Sequence, residues 1–493
     1  MPNAFFERII ENYQNRNEVV LTFGESAAFT GPEFLSLVSQ SAEMLLEAGL
    51  NAGDRIAMEA GPNPTYIASV IGAIAAGGIV VPINPSATHP EVDYVFGDAT
   101  PKFAIGNGEV FQSVASGRSY AAKTYQGVGS DLAVPSNCTL LSFEIAGVSS
   151  INSIENLCEI DSPCLIGYTS GTTGKPKGAL LSLNNLYTSA KGLIKAWKWS
   201  NTDHLLHFLP LYHMHGLGVG VFASLVADSK ITFLERFTED LLFQSVEQKD
   251  ISMIFGVPTI YERIARDDRL PSLAKLRLMV SGSAPLPTDL FDRIKDTLSE
   301  GPVERYGMTE TVMNTSNPFA GERRAGKVGM ALEGVSVKIA PDGEVLIKGG
   351  NVMLGYLGRP AANDEAFTSD GYFRTGDQGE VDEDGYLEIK GRKKDLIISG
   401  GFNVYPKEVE AEIRAYRGIR EAAVVGRPSE LWGEEVVAFV ECSDSIDAVE
   451  LIDFLRTRLS SYKLPKEVFI VETLPRNNLG KILYSKIREE YLN

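Results

Sequence analysis

The stretch YTSGTTGKPKG, residues 168–178, holds three glycines, four Ser or Thr residues, two lysines and one proline. It follows an apolar run, CLIGY at 164–168, that has the composition of a buried strand. Backbone N–H groups, hydroxyls and lysines directly after a strand favour an anion cradle over a plain surface turn. The sequence therefore predicts that this loop binds phosphate.

The loop differs from a P-loop at two positions. The Walker A pattern GxxxxGK[ST] begins with a glycine, whereas this chain has Thr169 five residues before Gly174. Pro176 follows Lys175 at the position where Mg²⁺ needs a Ser or Thr hydroxyl. These mismatches disfavour a P-loop switch or kinase, and a metal ligand must come from elsewhere in the chain.

Length and composition limit the class of protein. At 493 residues the chain is long enough for about two to four domains. The net charge of −18 argues against partners that are nucleic acids or anionic membranes. The four cysteines form no CxxC pair and fit reduced thiols in a cytoplasm. The most apolar stretch, residues 66–84, is split by Gly77 and Gly78, so a buried helix and strand fit it better than a membrane span.

Periodicity predicts two kinds of domain. From about residue 160 to 310, short apolar runs alternate with amphipathic helices, and the same alternation occurs over 33–83. This pattern indicates βαβ units and a largely parallel sheet. From about 335 to 390, Asp-Gly turns separate short strands and predict a small β-rich region. GRKKDLIISGG at 391–401 marks a boundary, after which the pattern fits a small α+β domain.

Four motifs occur in order along nearly the whole chain. They are YTSGTTGKPKGALLSLNNL at 168–186, RYGMTET at 305–311, GYFRTGDQGEVDEDGYLEIKGRKKD at 371–395 and LPRNNLGKI at 474–482. Together they resemble the motifs of adenylate-forming enzymes, which include acyl-CoA synthetases, luciferases and peptide-synthetase adenylation domains. Such a series is far more specific than any single motif.

The resemblance implies an α/β fold with two domains. The first, residues 1–393, is a large adenylation domain of parallel-rich sheets layered with helices, plus the small β region. The second, residues 394–493, is a small α+β domain that moves about a hinge at Lys394. The implied reaction uses ATP and Mg²⁺ to convert a carboxylate to an acyl-adenylate, with release of pyrophosphate. Coenzyme A then attacks the activated carbonyl.

The same resemblance implies a role for each matching residue. Glu310 is the expected Mg²⁺ ligand, Thr309 the α-phosphate contact and Lys481 the catalytic lysine that bridges the carboxylate and the α-phosphate. The turn after Ser399 is expected to line the coenzyme A channel through Gly400, Gly401 and Phe402. The nucleotide-binding set comprises Thr169, Ser170, Gly171, Thr172, Thr173, Lys177, Gly282, Ser283, Ala284, Pro285, Tyr306, Gly307, Met308, Thr309, Asp377, Arg392 and Lys481.

Four of the five histidines lie in HLLHFLPLYHMHG at 204–216. The strand-like phase and the spacing do not place three of them on one face, which disfavours a metal site. His213 matches a family histidine near the substrate carboxylate and the thiol tunnel. We expect the other histidines to pack or to form hydrogen bonds.

Two arginines indicate which acid the enzyme activates. Arg263 lies in GVPTIYERIA at 256–265, and Arg305 directly precedes Tyr306. A lone arginine usually forms a structural or surface ion pair, but two aimed at the acyl pocket would hold a second carboxylate through bidentate bonds. With SGSAPLP at 281–287 and MNTSNP at 313–318, these stretches resemble malonyl-CoA synthetases. The resemblance implies that Arg263, Arg305 and His213 contact malonate.

The predicted activity is therefore an AMP-forming malonate–CoA ligase, with a small dicarboxylic acid, ATP and coenzyme A as its partners and no obligate protein partner. Methylmalonate or another short acid is an alternative substrate. A stand-alone adenylation domain that loads a carrier protein is a second alternative, although no GxDS-type serine motif follows the last domain. A nucleotide-binding regulatory protein without catalysis is disfavoured because Glu310, Asp377 and Lys481 are all present.

Overall fold

The computed structural model describes residues 3–24, 27–106, 139–141, 158–169, 176–399, 402–429, 432–442, 446–476 and 481–492. By their internal contacts these residues form two compact units. The large unit comprises Met1–Val337 and Ile347–Phe373, and the small unit comprises Lys338–Leu346 and Arg374–Asn493. The expected boundary at residues 393 and 394 stays a prediction.

The helices agree with the amphipathic segments of the sequence. Thr30 and Glu33 form a capping box at the start of the second helix, and Asn63 caps the third with Pro64 in its first turn. In chain order the helices are α1 Ala4–Tyr13, α2 Gly31–Glu47, α3 Pro64–Ala75, α4 His89–Ala99, α5 Leu183–Trp197, α6 Ala223–Ala227, α7 Glu239–Gln248, α8 Pro258–Ala265, α9 Thr288–Leu298, α10 Pro360–Ala366, α11 Pro406–Arg414, α12 Ala448–Arg456 and α13 Tyr484–Tyr491.

The strands include the apolar runs identified in the sequence and several others that the sequence analysis did not identify. In chain order they are β1 Val19–Phe23, β2 Ala27–Thr30, β3 Arg55–Glu59, β4 Ile79–Ile83, β5 Phe103–Ile105, β6 Thr139–Leu141, β7 Pro163–Thr169, β8 Lys177–Ser182, β9 His204–His207, β10 Lys230–Phe233, β11 Met253–Gly256, β12 Leu278–Ser281, β13 Val303–Tyr306, β14 Thr315–Ser316, β15 Met330–Ala331, β16 Val335–Ile339, β17 Glu344–Gly349, β18 Gly355–Tyr356, β19 Phe373–Val381, β20 Leu387–Arg392, β21 Ile397–Ser399, β22 Phe402–Val404, β23 Ile419–Ser429, β24 Gly433–Cys442 and β25 Glu467–Val471.

Two sheets form the large unit. The first has the order β15-β14-β13-β12-β11-β9-β10-β1-β2. Its central pairs, from β1 and β10 to β12 and β13, are parallel, as the βαβ pattern predicts. The second has the order β18-β8-β7-β4-β3-β5-β6. The predicted α/β class is confirmed.

The stretch 66–84 forms most of α3 and then β4, as predicted, and β4 is paired in parallel with β3. Most of its apolar side chains lie in the hydrophobic core. Among the described residues, no helix is both long and apolar enough to cross a membrane.

The three Asp-Gly turns predicted between residues 335 and 390 occur as expected. Gly343, Gly371 and Gly385 have φ values of 83°, 81° and 86°, a region that glycine adopts without strain. The strands β16 to β20 surround these turns, so the predicted β-rich region is confirmed.

The small unit contains a mixed sheet that runs β22-β21-β24-β23, with β25 paired in parallel to β24. Apolar residues of α11 and α12 pack on one side of this sheet, and Leu474 and Ile487 of the C-terminal segment join a second cluster with β23 and β24. The predicted α+β domain is thus confirmed as a fold.

An ion pair ties three elements of the large unit together at the starts of its parallel strands. Asp203, which is 2% exposed, accepts hydrogen bonds from Arg277 Nε at 2.5 Å and Nη2 at 2.6 Å. It also accepts from the Ser252 hydroxyl at 2.8 Å. Arg277 Nη1 donates to the Trp197 carbonyl at 2.9 Å. Burial raises the pKa of Asp203, but these hydrogen bonds outweigh burial and leave it below 3.8.

We expect Asp203→Asn to lower the free energy of unfolding of the large unit by about 2–3 kcal/mol, because a buried carboxylate loses its hydrogen bonds to a charged partner. Because the folded-state pKa is depressed, this contribution is present above the unfolded pKa of Asp, about 3.9, and is lost as the pH falls below it. Urea unfolding followed by the fluorescence of Trp197 and Trp199 measures the change.

The matched control is Asp240→Asn, since Asp240 is 86% exposed and bonds Arg269 at 2.8 Å. An exposed pair contributes little, so this control should change stability by less than about 0.5 kcal/mol. Equal effects of the two substitutions at pH 7 would contradict the structural role of Asp203.

Candidate active site

The predicted phosphate loop joins two paired strands of the large unit. β7 and β8 are antiparallel, and Thr169 at the end of β7 is opposite Lys177 at the start of β8. Tyr94 braces the end of the loop by donating from its hydroxyl to the Pro176 carbonyl at 2.7 Å. Ser170, Gly171, Thr172 and Thr173 lie outside the described residues.

Glu310 lies beside the ends of this loop. Its Oε1 accepts from the Tyr356 hydroxyl at 3.1 Å and from the Thr169 hydroxyl at 3.4 Å. The Lys177 ammonium lies 5.2 Å from the centre of the Tyr356 ring. The fold thus brings the predicted metal ligand Glu310 together with the predicted phosphate contacts Thr169 and Lys177.

Thr309 packs directly on the backbone of β7. A Cβ placed on Gly167 would lie 2.3 Å from Thr309 Cγ2, which is closer than real carbon atoms approach. Any side chain at Gly167 would therefore displace Thr309. The glycine in CLIGY has a steric reason that its sequence context did not reveal.

The two segments predicted to line adenine leave adjacent strands at the same edge. β12 and β13 are parallel, with Ser281 opposite Glu304, so residues 282–285 and 307–308 follow side by side. Ligands of open α/β sheets bind at the carboxyl ends of the strands. The residues that the structure places there are Gly282, Ser283, Ala284, Pro285, Tyr306, Gly307 and Met308.

Glu304 fixes the first of these segments and was missed by the sequence analysis. Its side chain is buried, and Oε1 accepts from the Leu286 amide at 3.0 Å. Burial raises the pKa of Glu304 to about 7, although hydrogen bonds from backbone amides lower it. No motif distinguishes this buried carboxyl from a surface glutamate.

Arg305 is buried, with 5% of its surface exposed, and no carboxylate of the described residues pairs with its guanidinium. Neither Nε nor Nη2 has a hydrogen-bond partner among the described residues. Burial lowers the pKa of Arg305 to about 9, which leaves it charged at neutral pH. Such a buried charge is costly unless a ligand pairs with it.

Gly282 makes room for the Arg305 guanidinium. A Cβ on Gly282 would lie 2.4 Å from Arg305 Cζ and 2.5 Å from Nε. The guanidinium therefore packs against the backbone of the predicted adenine segment. This contact fixes the position of the guanidinium but provides no hydrogen-bond acceptor for Nε or Nη2.

Arg263 has a different environment. Its Nε and Nη2 donate to the two carboxylate oxygens of Glu239 at 2.6 Å and 2.7 Å, and its side chain is 50% exposed. Its guanidinium lies 4.7 Å from the centre of the Phe237 ring. The structure thus shows the surface ion pair that the sequence analysis weighed against substrate binding. The substrate role of Arg263 stays a prediction.

The histidine-rich stretch contains two kinds of secondary structure. His204 and His207 lie on β9, whereas His215 begins a π-helix that runs to Phe222. The strand-like phase was therefore right only for 204–207. Among the described residues, no cluster of three or more His, Cys, Asp or Glu side chains has the arrangement of a metal site. Burial lowers the pKa of His213 to about 4, so its imidazole is neutral.

The small unit carries the predicted ribose and catalytic residues. Asp377 on β19 is opposite Arg392 on β20, and their side chains pair at 2.9 Å. The Asp377 amide donates to the Thr375 hydroxyl at 3.0 Å. Lys481 is exposed and lies within the electrostatic reach of Asp377 and Arg392. Asp377 and Arg392 thus form an ion pair, and burial lowers the pKa of Lys481, on which the charges of both partners also act.

The predicted hinge and coenzyme A residues also lie in the small unit. Lys394 is exposed in a single 3₁₀ turn, Lys393–Asp395. Phe402 is 57% exposed, and its ring is stacked on Tyr462 with centres 4.7 Å apart. Gly400 and Gly401 lie outside the described residues.

The sequence analysis did not single out Tyr356 or His215, which contact the predicted site residues Glu310 and Ser283. Tyr356 reaches Glu310 from a two-residue strand distant in sequence, and the segment around it has no charge pattern that marks a site. His215 was grouped with packing histidines, yet its Nε2 is buried without a partner among the described residues. Only the unusual density of histidines over 204–216 pointed to this region.

Comparisons with known proteins agree with this geometry. The AMP-binding enzyme family matches residues 6–357, and the AMP-binding enzyme C-terminal domain matches residues 408–481. A malonate–CoA ligase of Arabidopsis thaliana is 33% identical over 487 residues, covering 90% of this chain and 78% of the relative. A feruloyl-CoA synthase of Amycolatopsis sp is 34% identical over 482 residues, covering 94% of both chains.

The crystal structure of ATP-bound MatB from Rhodopseudomonas palustris is similar in fold, with a TM-score of 0.91 and 34% identity. The similarity covers 100% of this chain and 99% of that one. The family prediction from the four motifs is thus confirmed over both units. This chain belongs to the AMP-binding enzyme family of adenylate-forming, acid–thiol ligases.

Proposed function

We propose that this enzyme activates malonate, forming malonyl-CoA, AMP and pyrophosphate through a malonyl-adenylate. The observation that carries the proposal is the buried Arg305 guanidinium, whose Nε and Nη2 have no partner among the described residues. The second carboxylate of a dicarboxylic acid would satisfy these donors with charge-assisted bonds. The similarity to a malonate–CoA ligase and to MatB supports the same substrate.

In the first half-reaction the free carboxylate of malonate attacks the α-phosphorus of ATP. Two anions approach each other, so the site must supply positive charge and fixed donors. On this proposal Thr169, Lys177 and the loop between them hold the phosphates that leave as pyrophosphate. Thr309 contacts the α-phosphate, and Lys481 bridges it to the attacking carboxylate.

The remaining nucleotide contacts come from the segments at the ends of β12 and β13 and from the small unit. Residues 282–285 and 306–308 line the adenine. Asp377 accepts hydrogen bonds from the ribose hydroxyls, and Arg392 holds Asp377 in place through their 2.9 Å pair. His213, neutral because of burial, lies at the reacting carboxylate as a hydrogen-bonding group.

The oxygen atoms of Glu310 and Thr169 are suitable ligands for a magnesium ion. Mg²⁺ is usually held by one or two carboxylates together with substrate phosphates and water. Glu310 offers a carboxylate, and the Thr169 hydroxyl lies 3.4 Å from it. Glu310 and Thr169 would hold the ion, which neutralises phosphate charge when bound.

In the second half-reaction the thiol of coenzyme A attacks the adenylate carbonyl, and AMP leaves. We propose that the small unit rotates about Lys394 between the half-reactions. The rotation moves Lys481 away from the reacting carbonyl and brings the Gly400–Phe402 turn to the coenzyme A channel. Glycines at such a turn allow close approach of an extended chain such as pantetheine.

The pocket charge favours malonate over acids that lack a second carboxylate. A neutral aromatic acid such as ferulate would leave Arg305 buried and unpaired, which is unfavourable. A carrier protein as acceptor changes only the thiol and not the acid. Methylmalonate presents the same second carboxylate and stays an alternative substrate.

Arg305→Leu is expected to lower kcat/KM for malonate by about 30- to 1,000-fold, equivalent to about 2–4 kcal/mol, because one partner of a buried charge pair is lost. Propanoate lacks the second carboxylate, so its kcat/KM should not fall. ATP-dependent pyrophosphate release with both acids measures the effect.

The matched control is Arg266→Leu, whose side chain is 67% exposed and bonds Glu262. It should leave both acids unaffected. Arg263→Leu tests the second predicted arginine in the same assay. A wild-type enzyme that prefers octanoate or acetate to malonate would refute the substrate proposal.

Lys481→Ala is expected to abolish malonate-dependent pyrophosphate release, because its ammonium stabilises the approach of two anions. Thioester formation from preformed malonyl-adenylate and coenzyme A should stay within about threefold of wild type. Lys466→Ala is the control, since Lys466 is exposed and lies over Trp432 in the same unit. Equal loss of both half-reactions in Lys481→Ala would contradict the exchange of residues.

A further inference from the structure

The chain segment that carries Lys481 is closed at its base by backbone contacts within the small unit. Arg476 and Ile482 form an antiparallel bridge, and the Leu483 amide donates to the Pro475 carbonyl at 2.8 Å. Lys481 directly precedes Ile482 in the chain. The position of its backbone therefore depends on what holds this bridge in place.

Tyr484, the first residue of α13, follows the bridge and is held by two charged side chains of α11. Its hydroxyl donates to Glu410 Oε1 at 2.7 Å and accepts from the Lys407 ammonium at 2.6 Å. The same ammonium donates to Glu410 Oε2 at 2.7 Å and lies 5.2 Å from the centre of the Tyr484 ring. Each of the three groups thus bonds the other two, and we call them the Glu410 network.

The Glu410 network is buried and joined to the sheet. Glu410 is 0% exposed, and its Oε1 also accepts from the Val424 amide of β23 at 3.0 Å. Burial holds the pKa of Tyr484 well above 10, and the charge of Glu410 raises it further, so the phenol keeps its proton and stays a donor. A buried carboxylate is costly unless its oxygens are hydrogen-bonded. The network therefore fixes the start of α13 to the sheet in one orientation.

The attachment of this segment does not depend on the Glu410 network alone. Leu474 and Ile487 already join the C-terminal segment to β23 and β24 through apolar contacts. The network also lies close to Lys481, since burial lowers the pKa of the Lys481 ammonium and the positive charge of Lys407 is one of the nearby charges that lower it further. Directional hydrogen bonds at Tyr484, three residues after Lys481, set an orientation that apolar contacts do not specify.

We propose that Tyr484, Lys407 and Glu410 are positioning residues for the catalytic Lys481. They hold the start of α13, and with it the Lys481 ammonium, in the orientation that acyl-adenylate formation requires. The inference rests on the proposed function, in which Lys481 serves only the first half-reaction. The Glu410 network therefore supports formation of the adenylate and has no part in the attack by coenzyme A.

Tyr484→Phe removes the hydroxyl from the Glu410 network and keeps the ring. We expect it to lower kcat for malonate-dependent pyrophosphate release by about 10- to 100-fold, because a displaced catalytic group loses its alignment with the reacting atoms. The KM values for ATP and malonate should change by less than about threefold, since other residues bind both substrates. Thioester formation from preformed malonyl-adenylate should also stay within about threefold of wild type. On the proposed function that step uses the Gly400–Phe402 turn, so its retention shows that the small unit is folded.

The matched control is Tyr416→Phe, since the Tyr416 hydroxyl bonds Glu450 at 3.3 Å in an exposed contact of the same unit. It should leave both half-reactions unchanged. Lys407→Met removes the ammonium from the Glu410 network and should reproduce the selective loss. Lys407→Arg keeps a charged donor and should retain most of the pyrophosphate release.

The two half-reactions together decide the role of the Glu410 network. A loss of kcat that is confined to pyrophosphate release supports the positioning role. Equal losses in both half-reactions of Tyr484→Phe overturn it, as does an unchanged rate where Lys481→Ala abolishes pyrophosphate release, and both results leave the proposed function intact. Pyrophosphate release that Lys481→Ala leaves unchanged overturns the role of Lys481 in the proposed function itself.

Discussion

The parallel pairing of β11, β12 and β13 is the constraint on which the site depends. Gly256 lies opposite Ser281, and Ser281 lies opposite Glu304, so the three strands end at one edge. Three segments therefore leave that edge side by side: a helix after β11, residues 282–285 after β12 and residues 307–310 after β13. Buried apolar side chains on the strands stabilise this alignment. The polar groups that follow the strands are therefore brought together by the sheet and not by attraction to one another.

That alignment explains how the Arg305 guanidinium is held in place without a carboxylate partner among the residues that the structure describes. The chain has 64 acidic residues against 46 basic ones, so pairing partners are abundant, and Arg263 and Arg277 both have one. Arg305 packs against the backbone of Gly282, and its Nε and Nη2 have no partner among the described residues. Leaving these donors unpaired costs stability, which the large hydrophobic core of the unit can offset. A buried cation whose hydrogen-bond donors have no protein partner is suited to bind a ligand of the opposite charge.

Much of the fold followed from the sequence because its signals are local. Alternating apolar runs and amphipathic helices predicted the parallel sheet, and Asp-Gly pairs predicted the turns at Gly343, Gly371 and Gly385. The motifs marked Thr169, Lys177 and Glu310, which the structure brings together. The difference between Arg263 and Arg305 is not local. It arises from Glu239 on another helix in one case and from Gly282, which directly follows β12, in the other. Tyr356 and His215 were missed for the same reason, because each gains its meaning from a residue distant in the chain.

On the proposed function, the division of charge within the pocket follows from the chemistry of a substrate with two carboxylates. One must be held and the other must attack, and only interactions that strengthen in the transition state speed the attack. On this proposal the fixed Arg305 guanidinium holds one carboxylate and leaves the other free to attack. Burial keeps both His213 and His215 neutral, which preserves this balance near neutral pH. On the proposed function, the lysine that assists the attack lies on the small unit, so it can leave once the adenylate has formed. On the same proposal Arg305 anchors the acid through both half-reactions, and its position on β13, in the central sheet, suits that role.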